Sequence, residues 1–398
     1  MSLANTATRY GAVTKLFHWA TALLILVLIP LGAIANRLPY ETDAQLALKA
    51  QLFSVHKTLG VAVFLVALAR ILWALTQTKP GELHPDRRAE NALASLVHWL
   101  LYISLVAVPL TGWIHHAATS GFAPILLPLG QDLPLVPKNE SVSELFATLH
   151  WIWSKVMIAA IGLHIAGAFK HLIVDKDSTL QRMWFGATEH LPEVTAHKGS
   201  WAAPLTALIV FGLATGAGAM GGMFHHDGPA ATVALADVSS EWTVTEGRIE
   251  ISVTQLGSPV TGQFEDWTSA INFDPEGTGT LGDVTTTVAI GSLKLGSVTD
   301  QAMGADFFDV ADFPTATFAA NITADGTSYL ADGTLTIKGN TVPVSMPFVL
   351  SLNGNNAEMA GSLSLDRRDF QIGQSMGDES NLGFGVSVNV NLQATRGE

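Results

Sequence analysis

The first half of the chain contains five long runs of apolar residues separated by short polar segments. Each run is close to the roughly 20 residues that a helix needs to cross the hydrocarbon core of a bilayer. The runs extend approximately from Leu16 to Ala35, Val55 to Leu75, Leu96 to Ile114, Trp151 to Phe169 and Ala202 to Met223. We therefore predict five membrane-spanning helices, the first four forming an all-α bundle.

The hydrophobic pattern changes to a period of two beyond Asp237. Alternating stretches occur at Ile249–Val253, Val284–Ile290, Phe318–Ile322, Leu335–Ile337, Val342–Leu352, Met359–Leu365 and Phe384–Leu392. Asp325-Gly326, Asp332-Gly333 and Asn353-Gly354 are typical hairpin signals. This pattern predicts about eight antiparallel strands in an all-β barrel or sandwich, and eight strands enclose room for one elongated apolar ligand.

The predicted organisation is therefore that of a multi-domain membrane protein. Residues 1–190 form the four-helix bundle, residues 191–236 contain the fifth span and a linker at 224–236, and residues 237–398 form the β-domain. The first apolar run is long and lacks a small-residue cleavage site, so we expect a retained span rather than a cleaved signal peptide.

Charge separates the two halves of the chain. Residues 1–236 carry 15 Lys and Arg against 13 Asp and Glu, whereas residues 237–398 carry 6 against 21, a net charge of −15. Cysteine is absent, which excludes disulfides, thiolate-bound iron–sulfur clusters and covalent c-type haem. No nucleic-acid partner is expected.

The short loops predict the orientation in the membrane. Lys and Arg concentrate before the first span, between spans two and three, and after span four: Arg9, Lys15, Lys79, Arg87, Arg88, Lys170, Lys176, Arg182 and Lys198. The positive-inside rule then places the N-terminus on the cytoplasmic side. The fifth span would carry the β-domain to the outer side of the membrane.

Four histidines lie at matched depths in the predicted spans. His150 and His164 are fourteen residues apart on span four, so they share one helix face and lie about 21 Å apart along its axis. His18 and His56 open two other spans at opposite membrane faces. Neutral imidazoles are good axial ligands of haem iron, and we predict two haems, held by His18 and His164 on the inner side and by His56 and His150 on the outer side.

Other histidines are alternatives. His171 lies seven residues beyond His164 on nearly the same face and is the main competitor for the inner site, although it follows Lys170 at the expected membrane surface. His98 opens span three, and we interpret it as a residue that contacts the haem ligands or faces a quinone. The remaining candidates, His115, His116, His225 and His226, are assigned to outer loops.

Charged residues inside membrane spans usually bind a ligand or a partner group, or extend to the membrane surface. Arg70, near the inner end of span two, is a candidate for binding the propionates of the inner haem. Lys57 and Lys155 could do the same for the outer haem or attract an anionic substrate. Snorkelling of these long side chains to the interface is the alternative.

Residues 9–185 resemble the bacterial cytochrome b561 family. The stretches that carry the resemblance are RYGAVTKLFHW, VHKTLGVAVFLVALARILW, HWLLYISLVAVPLTGW and LHWIWSKVMIAAIGLHIAGAFKHLIVDKDSTLQRM. The resemblance implies two haem b groups held by four histidines, which map onto His18, His56, His150 and His164. It also implies electron exchange with ubiquinone, and some members are similar to superoxide oxidases.

Residues 240–396 resemble the YceI-like family of lipocalin-like barrels, which implies binding of polyisoprenoid chains and a periplasmic location. The stretches are GADFFDVADFPTATF, DGTLTIKGNTVPV and SLDRRDFQIG. Histidines usual in the first strands of that family are missing from EWTVTEGRIEISVTQLGSPVTGQF. An apolar tunnel for a lipid tail does not need them.

Three functions follow as hypotheses. The first is a diheme cytochrome that transfers electrons between the ubiquinone pool and a periplasmic redox partner, with the barrel binding an isoprenoid or quinone tail. The second is a superoxide:ubiquinone oxidoreductase, although an acidic barrel would repel an anionic substrate rather than steer it. The third is a membrane-anchored lipid-binding protein, which would not need four histidines.

Overall fold

The computed structural model of the chain describes residues 2–119, 123–185, 201–225, 233–326 and 328–397. They pack into two compact units. One contains residues 1–37, 51–118 and 124–226, and the other contains residues 38–50, 119–123 and 227–398. Of the predicted linker, residues 226–232 lie outside the described residues, and the domain bounds stay predictions.

The helical part of the chain contains the five predicted spans. In chain order the helices are α1 (Ala12–Arg37), α2 (Asp43–Leu75), α3 (Arg88–Ala117), α4 (Glu140–Lys170), the short α5 (Thr179–Met183) and α6 (Ala202–Met220). A π-helical turn, His171–Asp175, continues α4. All except α5 are long and apolar enough to cross a membrane.

Two helices start well before the apolar runs that predicted them. Helix α2 begins at Asp43 rather than near Val55, and α4 begins at Glu140, where the Asn139 side chain accepts a hydrogen bond from the backbone of Val142. A helix of 33 residues such as α2 is about 50 Å long, which exceeds the hydrocarbon thickness. His56 therefore lies inside α2, and the prediction that it opens this helix is wrong.

Helix α6 packs on the bundle through small residues and one hydrogen bond. A side chain at Gly218 would collide with Ile152 of α4, since its Cβ would lie 2.5 Å from the Ile152 Cδ1. The indole of Trp153 on α4 donates to the hydroxyl of Thr215 at 3.0 Å. Small residues and interhelical hydrogen bonds are what membrane helices use to associate.

The C-terminal half forms a single antiparallel sheet of ten strands. They are β1 (Trp242–Gln255), β2 (Ser258–Phe264), β3 (Trp267–Phe273), β4 (Thr280–Ala289), β5 (Leu293–Lys294), β6 (Thr315–Asp325), β7 (Ser328–Ile337), β8 (Asn340–Asn353), β9 (Asn356–Asp366) and β10 (Leu382–Arg396). The short helix α7 (Thr299–Met303) lies between β5 and β6.

The sheet closes on itself because β10 pairs with both β9 and β1. The closing register runs from Trp242 opposite Arg396 to Gln255 opposite Leu382, with one extra residue in β1 and a second irregularity in β10. Irregularities of this kind bend the strands. Counting β2 and β3 as one interrupted strand along β1, and β5 as an outlying pair of residues, the ring has eight strands. The predicted lipocalin-like antiparallel barrel is confirmed.

Two of the three predicted hairpin turns are also confirmed. Gly326 follows β6 and Gly354 joins β8 to β9, with φ values of +62° and +61°. The prediction for Asp332-Gly333 is wrong, because both residues lie in the middle of β7. A Cβ at Gly333 would lie 2.0 Å from the carbonyl oxygen of Ala319 on β6, so this glycine permits a close strand approach.

Arg367, in the stretch SLDRRDFQIG, holds the loop that precedes the last strand. Its side chain is 3% exposed, and its guanidinium donates hydrogen bonds to five backbone carbonyls. The acceptors are Ile372 at 2.8 Å, Gly373 at 2.7 Å, Met376, Leu382 at 3.1 Å and Gly383 at 3.1 Å. All five donors of the group are satisfied, so this arginine has a structural role.

We expect Arg367→Lys to destabilise the barrel by about 3 kcal/mol, because an ammonium group cannot satisfy the five carbonyls that the planar fork satisfies. The measurement is the urea dependence of proteolysis of the barrel in the purified full-length protein.

The matched control is Arg368→Lys. Arg368 is exposed and pairs with Asp366, so its replacement should leave the protease resistance of the barrel nearly unchanged. Equal sensitivity of the two variants would show that Arg367 does not hold the loop.

Candidate functional site

Histidines on four helices form two groups. The His18 cluster consists of His18 on α1, His98 on α3 and His164 on α4, and the His56 cluster consists of His56 on α2, His116 on α3 and His150 on α4. Each cluster contains one of the two predicted ligand pairs together with a histidine from α3. The two clusters are joined by α4, on which their members His150 and His164 stand about four turns apart.

The spacing of His18 and His164 suits a metal between them. Their ring centroids are 6.1 Å apart. Two imidazoles that bind one ion from opposite sides have a similar separation, since metal–nitrogen bonds are about 2 Å long and the centroid lies roughly 1 Å behind the nitrogen. His98 packs edge-on against His164 at 5.2 Å and is a third imidazole within reach.

Arg70 lies beside the His18 cluster and interacts electrostatically with His18 and His164. Its guanidinium lies 5.4 Å from the ring centre of Tyr102, and Tyr102 stacks on His98 with ring centroids 6.3 Å apart. The predicted contact with haem propionates stays a prediction.

In the His56 cluster, His150 has one ring nitrogen engaged by the backbone. Its Nδ1 lies 2.8 Å from the carbonyl oxygen of Val108. A hydrogen bond donated by Nδ1 fixes the tautomer and leaves Nε2 as the electron-pair donor, which is how a ligating histidine is usually oriented. His56 Nδ1 is buried and has no hydrogen-bond partner of normal geometry among the described residues. His56 lies close enough to His150 for the two to interact electrostatically.

A glycine stands opposite each imidazole of this pair. A Cβ at Gly32 of α1 would lie 2.6 Å from the Cε1 of His56, and one at Gly112 of α3 would lie 3.0 Å from the Cε1 of His150. Each glycine follows a proline inside its helix, Pro30 or Pro109. The helices thus supply room for both rings, and no bulky side chain competes for it.

The placement of His115 and His116 in an outer loop is wrong, since both lie in the last turn of α3. His115 Nδ1 contacts the Ser143 hydroxyl at 2.8 Å. His116 follows His98 by 18 residues, which is five full helical turns. This spacing is the signal in the sequence that could have identified it, because residues five turns apart share a helix face.

The two lysines considered for anion binding have different surroundings. Lys57 is 6% exposed, interacts electrostatically with His56 and His116, and lies 3.4 Å from the side chain of Gln131. Lys155 is exposed and lies over the ring of Trp151, 4.7 Å from its centre. Only Lys57 stands beside the His56 cluster.

His171, the predicted competitor, is engaged elsewhere. Its Nδ1 lies 2.7 Å from Asp177, whose same oxygen contacts His84 at 3.0 Å. Burial acts to raise the pKa of Asp177, but hydrogen bonds from Thr179, His171 and His84 outweigh it and lower that pKa to about 2. His225 lies outside the helices, and His226 lies outside the described residues.

Two groups of histidines in a bundle of apolar helices are typical of membrane b-type cytochromes. The donor set fits haem, since neutral imidazoles are its usual ligands, a backbone carbonyl orients His150, and the buried Nδ1 of His56 has no partner of normal geometry among the described residues. Ligation by two histidines leaves no open iron position and suits electron transfer.

The comparisons with known proteins identify the family. The family model of prokaryotic cytochrome b561 matches residues 9–186, and that of the YceI-like domain matches residues 242–394. The chain belongs to the prokaryotic cytochrome b561 family and carries a YceI-like domain after the cytochrome. It is a membrane electron-transfer cytochrome with a lipocalin-like domain, and family membership implies b-type haem.

Individual relatives agree with this assignment. Cytochrome b561 homolog 2 of Escherichia coli (strain K12) is 31% identical over 186 residues, which are 46% of this chain and 95% of that protein. A probable superoxide oxidase CybB of Yersinia pestis is 24% identical over 182 residues, 44% of this chain and 95% of that protein.

A solved structure is similar to the barrel half. It is Burkholderia cenocepacia BcnA, with 30% sequence identity and a TM-score of 0.36, covering 37% of this chain and 96% of that one.

We expect the four predicted ligands to fall into two pairs. Replacing His18 or His164 by Ala should remove one haem of two, and replacing His56 or His150 should remove the other, because an iron that loses one imidazole is held much more weakly. The measurement is the haem content and absorption spectrum of the purified full-length protein.

The control on the same helix is His171→Ala, which should retain both haems. Loss of a haem in His98→Ala, with both retained in His164→Ala, would assign His98 rather than His164 as a ligand.

Proposed function

We propose that the chain binds two haem b groups and conducts electrons across the membrane between the ubiquinone pool and a redox partner. The observation that carries this proposal is the 6.1 Å separation of the His18 and His164 ring centroids, and the electrostatic interaction of His56 with His150 supports the second pair. Because His150 and His164 stand about 21 Å apart along α4, the two irons would lie near opposite faces of the hydrocarbon core, whose thickness is about 30 Å.

In this proposal the protein's own groups hold and tune the haems. The Val108 carbonyl fixes the orientation of His150, and Gly32 and Gly112 leave room beside the rings. Cationic Arg70 near the His18 cluster favours the reduced iron, which carries one positive charge fewer. When bound, the haems supply one-electron redox chemistry.

We further propose that the N-terminus is cytoplasmic and the barrel periplasmic. The loop charges support this orientation, since Lys and Arg concentrate in alternate loops. An odd number of spans, five among the described residues, then carries the barrel to the opposite side.

The barrel is proposed to bind the isoprenoid tail of the quinone. Its inward side chains are aliphatic and aromatic, and several of them, such as Val388 on β10 and Leu363 on β9, are only half-buried. Inward side chains that keep accessible surface can gain contacts with a ligand, and each buried methylene of a tail would contribute about 0.8 kcal/mol.

We expect ubiquinol to reduce both haems, and Val388→Phe to slow reduction by a long-tailed quinol about ten-fold while leaving a short-tailed quinol unaffected. The larger side chain would fill space that the tail needs, and a ten-fold effect corresponds to about two methylenes. The measurement is stopped-flow absorbance of the haems in the full-length protein.

The control is Ser387→Phe at the neighbouring exposed position, whose side chain points to the opposite face of β10. Failure of both quinols to reduce either haem would contradict electron exchange with the quinone pool. An unchanged tail preference in Val388→Phe would contradict only the role of the barrel.

A second candidate function is superoxide oxidation, in which superoxide reduces the His56/His150 haem and the electrons pass to quinone. The observation that favours it is Lys57, a buried lysine beside the His56 cluster. When protonated, its side chain would attract an anionic substrate. A relative of this chain has the name of a probable superoxide oxidase.

If superoxide is the substrate, Lys57→Gln should slow haem reduction by superoxide about ten-fold, the effect of losing about 1.4 kcal/mol of attraction, without changing the haem spectrum. Pulse radiolysis or xanthine oxidase can supply the superoxide. Lys155→Gln is the matched control, since that exposed lysine lies over Trp151. No haem reduction by superoxide in the unmodified protein would remove this candidate.

The third hypothesis is a lipid-binding protein whose helices serve only as an anchor. The absorption spectrum of the purified protein distinguishes it from the other two. The third hypothesis requires purified protein without haem, whereas both electron-transfer hypotheses require two b-type signals.

A further inference from the structure

Arg182 on α5 has two hydrogen-bond donors without a partner. Its side chain is 7% exposed, and its Nη1 donates to the carbonyl oxygen of Gly81 at 2.9 Å. Its Nε and Nη2 are buried and have no hydrogen-bond partner among the described residues. Unsatisfied donors on a buried cation are costly, and they indicate that an acceptor is expected there.

Asp177, the acid that interacts with Arg182, does not supply that acceptor. Asp177 interacts electrostatically with Arg182, but its oxygens receive hydrogen bonds from Thr179, His84 and His171. Tyr10, whose ring centre lies 5.8 Å from the guanidinium, is not an anion either, because burial raises the pKa of its hydroxyl.

Arg182 is connected to the His18 cluster through its neighbours. Tyr10 interacts with both Arg70 and Tyr102 of that region. The segment that follows Arg182 packs on α1 beside His18, since the Met183 carbonyl accepts a hydrogen bond from the Trp19 indole at 3.1 Å. The Trp184 carbonyl accepts another from Lys15 at 2.6 Å.

The two open donors have the geometry of a carboxylate site. Nε and Nη2 form one edge of the planar guanidinium, and their N–H bonds are nearly parallel. This edge can donate to both oxygens of one carboxylate in the bidentate arrangement that arginine favours. A haem b group carries two propionate carboxylates at one edge of its macrocycle.

We propose that Arg182 binds a propionate of the haem held by His18 and His164, through its Nε and Nη2. The inference rests on the proposed haem pairing and adds a residue to it, since the sequence placed Arg182 only among the cations that orient the protein. Lys15 and Arg70 would add positive charge around the same propionates.

The test is the midpoint potential of each haem in Arg182→Gln. A propionate that loses its cation stabilises the ferric iron, so the potential of the His18/His164 haem should fall. We expect about a ten-fold change in the ratio of oxidised to reduced haem at a fixed potential, which is 59 mV for one electron. The other haem should keep its potential, and spectroelectrochemistry of the full-length protein measures both.

Two further variants test whether the change in potential depends on the bidentate edge of Arg182, on its positive charge or on a general effect on folding. Arg88→Gln removes an exposed arginine from the start of α3 and should change neither potential. Arg182→Lys keeps the positive charge but lacks the bidentate edge, so it should lower the potential of the His18/His164 haem less than Arg182→Gln does.

The outcomes are distinct. Unchanged potentials in the Arg182 variants, with both haems bound, would overturn the inference and leave the haem pairing intact. Unchanged potentials together with loss of co-purifying phospholipid would assign a lipid phosphate as the anion and equally overturn it. Absence of haem from the unmodified protein would instead contradict the proposed function itself.

Discussion

A polar group inside a membrane must have a partner, because no water is available to replace one. This constraint organises the helical half of the chain. Hydroxyl groups bond to backbone carbonyls one turn earlier, as Thr21 and Thr111 do, and the Trp153 indole reaches a threonine on α6. In the His18 cluster the imidazoles lie against one another, His164 being 6.1 Å from His18 and 5.2 Å from His98 between ring centroids. Imidazoles grouped in this way inside apolar helices are candidates for binding rather than for packing.

The common face of His150 and His164 could be predicted because helical geometry is regular. Fourteen residues on α4 place His150 and His164 on one face whatever else surrounds the helix, and apolar runs identify the helices that carry the other two. The starts of α2 and α4 could not be read in the same way. Their first turns are polar and continue the helix outside the apolar region, so hydropathy gives no signal there, whereas capping by Asn139 does.

Other parts of the site depend on contacts between distant segments. Nothing in the local sequence shows that Gly32 faces His56 or that Gly112 faces His150, because each contact joins two different helices. The open donors of Arg182 are similarly not visible in the sequence, because they depend on its contacts with the distant residues Gly81 and Tyr10. In the barrel, the alternating pattern predicts the strands and the closure, but it cannot distinguish Asp332-Gly333 inside a strand from the same dipeptide in a turn. There the close approach of β6, and not a reversal of the chain, requires the glycine.

The pairing of β1 with β10 has a consequence for how such a chain arises. Since Trp242 lies opposite Arg396, the point where the polypeptide enters the barrel is adjacent to the point where it leaves. A domain with neighbouring ends can be joined to another protein at either terminus without threading or opening its sheet. A single gene fusion could therefore join this domain to a membrane helix. The same adjacency of its ends would allow the domain to be joined to other membrane anchors.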